Sequence, residues 1–283
     1  MQRYKILHRT DYNFSGPVRL EPHTLRLRPR EDYGLRIESS TLTITPPATL
    51  FWHRDVEGNS VAVATFDLTT NHLAIESEVV INQYNEAPLN FLVPNYAISY
   101  PFVYRSDDTV LLSPYMAMQE NWKRTLLAEW IENCWQPGVR IQTYTLLHRI
   151  CTFIHQTLSY QRREEPGVQT AEQTLSLGTG SCRDFAVLFM EAARQLGIAS
   201  RFVSGYLHTP QSTTDSGATH AWTEVYLPGA GWKGFDPTIG EIVGADHIAV
   251  AVARLPETVS PVAGSFVGPQ GSHLDVGVWV ATC

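Results

Sequence analysis

The hydrophobic period of the chain changes near residue 120, and this change restricts the possible folds more than any other feature. Before it, short segments of alternating apolar and polar residues are separated by frequent Pro and Gly, which is typical of antiparallel strands. The predicted strands are Thr24–Leu27, Leu42–Ile44, Val61–Leu68 and Leu73–Ile81. Residues 1–120 are therefore predicted to form a β-rich N-terminal domain.

After residue 120, apolar residues recur at the spacing of helices. The first helical segment is marked by Trp122, Leu126, Leu127, Trp130 and Ile131. A second helical segment covers Leu146–Leu158, and a third begins at Cys182. Later segments are rich in β-branched and aromatic residues, which predicts strands at Ser200–Leu207, His220–Leu227, Trp232–Asp236 and Ile248–Val252. Helices followed by strands predict an α+β core over residues 121–283, whose tail His273–Val280 is a strand able to pair with either domain.

The third helix carries the strongest chemical signal in the chain. The run Gly178–Ser181 leads into Cys182, which lies in the first turn of the predicted helix. Ser181 and Asp184 match a capping pattern that fixes where this helix begins. A helix N-terminus carries partial positive charge, which favours the thiolate form, and the thiolate is the nucleophile. The following apolar residues form a predicted buried stripe: Phe185, Ala186, Phe189, Met190, Ala193 and Leu196. Cys182 is therefore predicted to be a nucleophile.

A histidine and an aspartate farther along the chain, His220 and Asp236, have the chemistry that such a thiol needs. His220 opens one predicted strand, and Asp236 ends the next one, immediately before Pro237. A catalytic thiol requires a histidine base within hydrogen-bond reach, and that histidine requires a third group to hold its tautomer. His220 is the predicted base and Asp236 the predicted orienting acid.

The register of the hairpin that joins these strands is a geometric test of the pairing. Side chains alternate between the two faces of a strand. If Tyr226 pairs with Trp232, Asp236 lies on the same face as His220, close enough for a side-chain bridge. A four-residue turn at Pro228–Gly231 would instead put the two side chains on opposite faces. The sequence therefore predicts an odd-length turn or a one-residue bulge there.

Three motifs in this order resemble the bacterial branch of the transglutaminase-like superfamily. They are C-R-D-F-A at Cys182, H-A-W-x-E-V-Y at His220, and G-W-x-x-F-D-P-T around Asp236. The resemblance implies a papain-like core with the nucleophile at a helix N-terminus packed on an antiparallel sheet. It also implies that Cys182, His220 and Asp236 form the catalytic triad of a cysteine protease or a related acyl-transfer enzyme.

The N-terminal part is similar to the β-rich domain that precedes this core in bacterial members. The motifs that carry the similarity are H-R-T-x-Y-x-F at His8–Phe14, R-L-R-P at Arg26–Pro29 and D-x-x-G-N at Asp55–Asn59. The resemblance therefore covers nearly the whole chain.

Composition excludes several classes of partner. The net charge of −7 and the pI of about 5.8 count against nucleic acid or an anionic membrane as the main partner. The sequence has no apolar run of about 18 residues, so no membrane span is predicted. Its N-terminus lacks the apolar segment of a secretory signal, which leads us to expect a reducing, cytoplasmic location.

The cysteines and histidines suggest no cofactor. Cys134, Cys151, Cys182 and Cys283 fit no zinc spacing and are too sparse for a disulfide framework. Cys134 and Cys151 are expected to be buried packing thiols, and Cys283 to be exposed. Because the sequence has no calcium loop either, neither a cofactor nor a metal ligand is predicted. The oligomeric state stays open.

The predicted chemistry is attack of the Cys182 thiolate on an amide of a peptide or protein, giving a thioester. Water would resolve the thioester in a protease or amidase, and an amine would do so in a transglutaminase. Hydrolysis is favoured because water is abundant and no amine-recognition feature is visible. A binding module on an inactive fold and a metal site of one Cys, one His and one Asp remain alternatives. Tyr160 is a candidate second oxyanion donor, and Gly205–Thr219 a candidate lid.

Overall fold

A computed structural model of the protein describes residues 1–84, 89–118, 126–163, 165–209 and 219–283. Its longer strands are β1 (Gln2–Leu20), β2 (His23–Leu25), β3 (Leu35–Thr45), β4 (Thr49–Arg54), β5 (Ser60–Thr65), β6 (Thr69–Gln83), β11 (Ser200–Leu207), β12 (His220–Leu227), β13 (Gly231–Asp236), β15 (His247–Ala253) and β18 (Ser272–Thr282). Its short strands are β7 (Ser99–Tyr100), β8 (Ile141–Gln142), β9 (Ser159–Tyr160), β10 (Thr179–Gly180), β14 (Glu241–Ile242), β16 (Val262–Ala263) and β17 (Phe266–Val267).

The helices are α1 (Asn95–Ile98), α2 (Ser106–Met116), α3 (Leu126–Ile131), α4 (Thr143–Thr157), α5 (Ala171–Leu177) and α6 (Cys182–Gln195). A short 3-10 helix covers Pro256–Val259. None of the described helices is both long and apolar enough to cross a membrane.

The N-terminal region is built from two antiparallel sheets. One has the order β17–β1–β6–β3, with β18 also paired to β1, and the other has the order β16–β2–β5–β4. The apolar residues between them form one core: Phe14, Val18, Leu20, Leu25, Leu27, Ala62, Ala64, Leu73 and Ile75. Each strand segment predicted before residue 84 overlaps a strand of these sheets, although β2 ends at Leu25 and β5 at Thr65, before the predicted ends at Leu27 and Leu68.

Strands β1 and β6 extend beyond this sandwich, and their far ends pack on the C-terminal α+β core. A second cluster joins residues of the N-terminal sheet to residues of β11 and β15: Tyr4, Ile6, Val79, Ile81, Val278 and Val280 on one side, and Tyr206, Ile248 and Val250 on the other. The two regions therefore share buried apolar surface and are not joined only by a linker.

Polar groups of the D-x-x-G-N motif, Asp55–Asn59, form hydrogen bonds across the contact between the two regions. Asp55 Oδ1 accepts the backbone N–H groups of Glu57 and Asn59, at 3.0 and 2.9 Å. Gly58 has φ +75°, which favours glycine in this tight turn. The buried Asn59 amide then accepts from the N–H of Val252 at 2.9 Å and donates to the Val252 carbonyl at 2.8 Å. The motif thus pairs a turn of the N-terminal region with β15 of the core.

The C-terminal strand belongs to the N-terminal sheet. The sequence assigned residues 121–283 to the core, but β18 pairs antiparallel with β1 from Tyr4↔Thr282 to Phe14↔Ser272. Strands β16 and β17 pair with β2 and β1 in the same way. The tail has the alternating pattern of a strand, and that pattern alone does not choose between two sheets.

The region before residue 120 also contains two helices, although only strands were predicted there. Helix α2 has Asp107 and Asp108 in its first turn, where they complement the positive end of the helix. It contains Pro114, and its apolar residues do not lie on one side, so the helical period is hidden in the sequence. Residues 121–125 of the helix predicted around Leu126 lie outside the described residues.

The core sheet has the antiparallel order β14–β13–β12–β11–β15, and α6 packs on one of its faces. The predicted stripe on α6 is too narrow, because residues 184–194 are all buried. The sheet covers one side of the helix, and α3, α4 and α5 contact the other. A helix between two layers has little face left for solvent.

A buried histidine at the junction of the two regions, His8, is expected to make the free energy of unfolding depend on pH. It is buried, with Nδ1 3.0 Å from Tyr206 Oη and Nε2 3.0 Å from Thr10 Oγ1. Burial lowers its pKa from 6.5 to about 4. Folding therefore releases its proton, so this contribution to stability is complete above pH 6.5 and is lost as the pH falls towards about 4.

We expect the free energy of unfolding of the wild type to fall by up to about 3 kcal/mol over that range because of His8. Denaturant titrations of the wild type and of His8→Gln at several pH values measure the difference. Parallel pH profiles for the two proteins would contradict this account of His8.

Candidate active site

Cys182 begins α6, as predicted, and its side chain is 9% exposed. The carboxylate of Asp184 accepts hydrogen bonds from the Ser181 N–H at 2.8 Å and from the Ser181 hydroxyl at 2.7 Å. The first bond satisfies a backbone N–H that the start of a helix leaves unpaired, and the second holds the Ser181 side chain in place. The first turn of α6 is therefore fixed, and with it the position of the thiol.

Asp184 also holds the segment that precedes the nucleophile. Its Oδ1 accepts from Arg163 Nη1 and from the Gln169 N–H, both at 2.7 Å. Burial alone would raise the pKa of Asp184, but these hydrogen bonds outweigh burial and lower it. The ionised carboxylate thus ties the loop before α5 to the start of α6. Arg183 contributes separately by donating to the carbonyls of Arg163 and Glu165.

The hairpin register agrees with the prediction. Tyr226 pairs with Trp232 and Leu227 with Gly231, which leaves a three-residue turn between the strands. The turn is odd in length, so Asp236 and His220 come to the same face of the sheet. Thr223, on the opposite face of β12, donates to the carbonyl of Ala186 in α6 at 2.6 Å. This bond fixes the strand that carries the histidine against the helix that carries the thiol.

His220 and Asp236 are directly hydrogen-bonded. The distance between His220 Nε2 and Asp236 Oδ2 is 2.6 Å, and Asp236 is fully buried. The other carboxylate oxygen accepts the N–H of Thr238 at 2.9 Å. Since Nε2 bonds Asp236, Nδ1 is the ring nitrogen that remains for the thiol of Cys182.

The site favours the protonated form of His220. Burial opposes protonation, but hydrogen bonds to Asp236 and to Cys182 outweigh it and raise the pKa of His220 to about 10. Burial would raise the pKa of Asp236, whereas its bonds to His220 and His247 hold that pKa well below the usual range. The site thus holds an imidazolium between the carboxylate of Asp236 and the thiol of Cys182.

His247 is a member of this site that the sequence analysis missed. Its Nε2 lies 3.0 Å from Asp236 Oδ2, the oxygen that also bonds His220. Its Nδ1 accepts the N–H of Gly244, so Nε2 carries the hydrogen and donates it to the carboxylate. No local pattern marks His247, because it meets Asp236 only when β15 and β13 are assembled into one sheet.

Removing His247 is expected to weaken the site without removing any member of the predicted triad. A hydrogen bond to a charged group contributes about 1.5–3 kcal/mol, so His247→Ala should slow alkylation of Cys182 about 10-fold at acidic pH. His247→Gln retains an N–H donor in place of Nε2 and should recover most of the rate. Equal rates for the alanine and glutamine variants would show that the hydrogen bond to Asp236 is irrelevant.

Among the described residues, one group of side chains also has the spacing of metal ligands. Each residue of this group offers one donor atom, and the three atoms lie within 4.8 Å of one another. The residues are His220, Asp236 and His247. In the structure these atoms are engaged in hydrogen bonds at 2.6 and 3.0 Å, which places hydrogens on both Nε2 atoms. A metal ion would have to displace those hydrogens, so the hydrogen-bonded chain is the arrangement that the geometry favours.

The other cysteines take no part in the hydrogen bonds among the described residues of the site. Cys134 and Cys151 are buried and Cys283 is exposed, as predicted. Burial raises the pKa of Cys134 to about 12 and that of Cys151 well above its usual value. The proposed lid, Gly205–Thr219, lies only partly within the described residues: β11 ends at Leu207, and residues 210–218 lie outside them.

Comparisons with known proteins agree with this architecture. The model of the bacterial transglutaminase-like N-terminal region matches residues 4–82, and that of the transglutaminase-like superfamily matches residues 140–237. An uncharacterised protein of Mycobacterium leprae is 25% identical over 98% of both chains. One of Mycobacterium tuberculosis is 28% identical over 98% of this chain and 91% of its own.

A solved structure supports the same fold over the whole length. The crystal structure of a candidate cysteine protease from Cytophaga hutchinsonii covers 99% of this chain and 90% of its own, with a TM-score of 0.73 and 17% identity. At this identity the likeness speaks for the fold alone. The two family matches show a transglutaminase-like core at residues 140–237, preceded by a bacterial transglutaminase-like N-terminal region at residues 4–82.

Proposed function

We propose that the protein is a thiol enzyme that hydrolyses an amide bond of a peptide or protein through Cys182, His220 and Asp236. The observation that carries the proposal is the bonding of His220, which is held by Asp236 at 2.6 Å and interacts with the Cys182 thiol. A thiol at a fixed helix N-terminus, beside an oriented imidazolium, is the arrangement of a nucleophile rather than of a packing residue.

The proposed reaction uses this arrangement in two steps. The thiolate of Cys182 attacks the amide carbonyl, a C–S bond forms, and the backbone N–H of Cys182 donates to the developing oxyanion. His220 gives its Nδ1 proton to the leaving amine, and the C–N bond breaks to leave a thioester. Neutral His220 then takes a proton from water, which attacks the thioester. Release of the carboxylic acid restores the thiolate and the imidazolium, while Asp236 holds Nε2–H throughout.

An amine could replace water in the second step, and the same residues would then catalyse transglutamination. Hydrolysis is preferred because water is abundant and the sequence displays no feature for recognising an amine. The test is to incubate the protein with a mixture of peptides, with and without a fluorescent primary amine, and to analyse the products by mass spectrometry. New peptide termini support hydrolysis, and amine-labelled peptides support transfer.

Cys182→Ala is the control for both products, because it removes the nucleophile alone. Products that persist in this variant would come from a contaminant. If the wild type forms neither product and Cys182 reacts no faster than an ordinary thiol, the fold acts as a binding module, and the proposal of an enzyme is wrong.

A further inference from the structure

A cavity of about 840 Å³ lies where the N-terminal region meets the core. Its wall combines the loop of residues 30–35 and the end of β6 with the sheet of the core, where Trp222 and His247 line it. Cys182 and His220 do not belong to this wall. Junctions between folded regions are common places for ligand sites, and a volume of this size holds a small organic molecule or a short peptide.

Large apolar side chains are exposed in part of this wall. Tyr33 is fully exposed, and Tyr84 and Leu89 are about half exposed. Phe91 and Trp232 add two partly buried rings to the same wall. Exposed apolar surface that lines a concave site marks a place where a ligand can bury an apolar group of its own.

Two buried side chains of the wall keep a polar atom without a partner. Trp222 is 1% exposed and Gln83 is 5% exposed, and among the described residues neither the indole N–H nor the amide oxygen forms a hydrogen bond. Both side chains contact His247: the Gln83 amide donates to its carbonyl at 3.4 Å, and the Trp222 ring packs edge-on against its ring, with the centroids 5.2 Å apart. Because buried polar groups normally have partners, these atoms indicate a ligand that offers both a donor and an acceptor, as a peptide amide does. Neighbouring atoms shield them from solvent, so a ligand reaches them after a rotation of the two side chains, a change that binding often brings.

One charged side chain of the wall lacks a counterion. Hydrogen bonds or ion pairs within the protein engage the others: Arg30, Glu31, Asp32, Arg201 and Glu224. The ammonium group of Lys233 lies 4.8 Å from the centre of the Phe91 ring, and no carboxylate in the described part of the chain pairs with it. A negatively charged ligand supplies the partner that this cation lacks.

We propose that this cavity binds the C-terminal end of a peptide whose last residue is aromatic. Lys233 pairs with the terminal carboxylate, and the exposed rings of Tyr33 and Tyr84 pack against the aromatic side chain. Trp222 and Gln83 bond a backbone amide farther from the end of the peptide. This binding goes beyond the reaction proposed above, because it uses none of the three residues assigned to that reaction.

Isothermal titration calorimetry with the Cys182→Ala protein measures this binding alone, since the variant lacks the thiol that would cleave a peptide. The probes are N-acetyl-Ala-Ala-Phe, the same peptide with a C-terminal carboxamide, and N-acetyl-Ala-Ala-Ala. We expect the free acid to bind about 10-fold more tightly than the carboxamide, because the carboxamide lacks the charge that strengthens the hydrogen bond. The alanine peptide should bind about 10-fold more weakly than the phenylalanine peptide, because it buries no ring.

A lysine substitution tests where the carboxylate binds. Lys233→Met removes the ammonium group and keeps an apolar chain beside Phe91. It should weaken binding of the free acid about 10-fold and leave binding of the carboxamide unchanged. Lys5→Met is the matched control, because Lys5 pairs with Glu78 on the N-terminal sheet and does not line the cavity. It should leave both affinities unchanged.

Equal affinities of the free acid and the carboxamide would overturn the inference, as would an unchanged affinity of Lys233→Met for the free acid. Equally tight binding of a carboxamide peptide with an internal aspartate would also overturn it, since the site would then recognise any carboxylate and not a chain end. So would an absence of binding of every probe at millimolar concentration. Failure of the proposed enzyme is a separate result, because it appears as an unreactive Cys182 in the wild type and leaves these affinities unchanged.

Discussion

Replacing His220 by alanine is expected to slow alkylation of Cys182 by iodoacetamide about 100-fold at about pH 6. An ordinary thiol has a pKa of about 8.5, so only roughly one molecule in 300 is ionised at that pH. In the wild type, the bond to Asp236 favours protonated His220, whose positive charge beside Cys182 is absent from the variant. The fall in alkylation rate should therefore approach the ratio of the rate of a thiol paired with an imidazolium to that of an isolated thiol at this pH.

The pH profile identifies the cause. Bonds to Asp236 and Cys182 raise the pKa of His220 to about 10, so its positive charge is present throughout the neutral range. The wild-type alkylation rate should stay nearly constant from acidic to neutral pH. The rate of His220→Ala should rise with pH and approach the wild-type rate above about pH 8.5, where a free thiol ionises without help.

Two choices make this experiment specific. Cys283 is exposed and would compete for the reagent, so all proteins carry Cys283→Ser. His53→Ala, which removes an exposed histidine from β4, is the matched control and should behave like the wild type. If His220→Ala and His53→Ala give the same profile, His220 does not sustain the thiolate, and the proposed pair is wrong.

Arginine 194 is expected to have the largest effect on stability. Its side chain is fully buried at the end of α6, where Nη1 bonds Glu191 Oε1 at 2.9 Å. The remaining nitrogens donate to the carbonyls of Tyr115, Ser200 and Arg254. Arg194→Ala would leave the Glu191 carboxylate buried without its cation, which costs about 3–5 kcal/mol of unfolding free energy.

The double variant Arg194→Met with Glu191→Leu separates charge from packing. It removes both charges and keeps much of the buried volume, so it should lose much less stability than Arg194→Ala. Denaturant titration of the three proteins gives the free energies of unfolding. A double variant as unstable as Arg194→Ala would mean that the three backbone carbonyls, and not the isolated charge on Glu191, determine the loss.

The positions of Cys182, His220 and Asp236 could be predicted because each depends on local geometry. The glycine-rich approach and the capping pair of Ser181 and Asp184 define where α6 begins. The hairpin register follows from the alternation of side chains and the length of one turn. Each of these relations lies within one helix start or one hairpin, and the sequence displays it.

His247, the length of β1 and the partner of the C-terminal strand could not be predicted. His247 reaches Asp236 only through the order of the strands in the core sheet. Strand β1 continues from Gln2 to Leu20 because two separate cores cover its two halves. Asn59 likewise pairs with Val252 across the junction of the two regions. These features depend on contacts between segments that are distant in the sequence, and local sequence patterns do not predict such contacts.

The most direct test of the account is whether Cys182 forms a thioester. Rapid mixing of the protein with p-nitrophenyl acetate should release a fast burst of p-nitrophenolate, equal to one acetyl group per molecule, followed by slow turnover. Peptide mass spectrometry should locate the acetyl group on Cys182, and Cys182→Ala should show no burst. A wild-type protein with no burst, or with the acetyl group on Cys283 or a lysine, would contradict the proposal that Cys182 is the nucleophile.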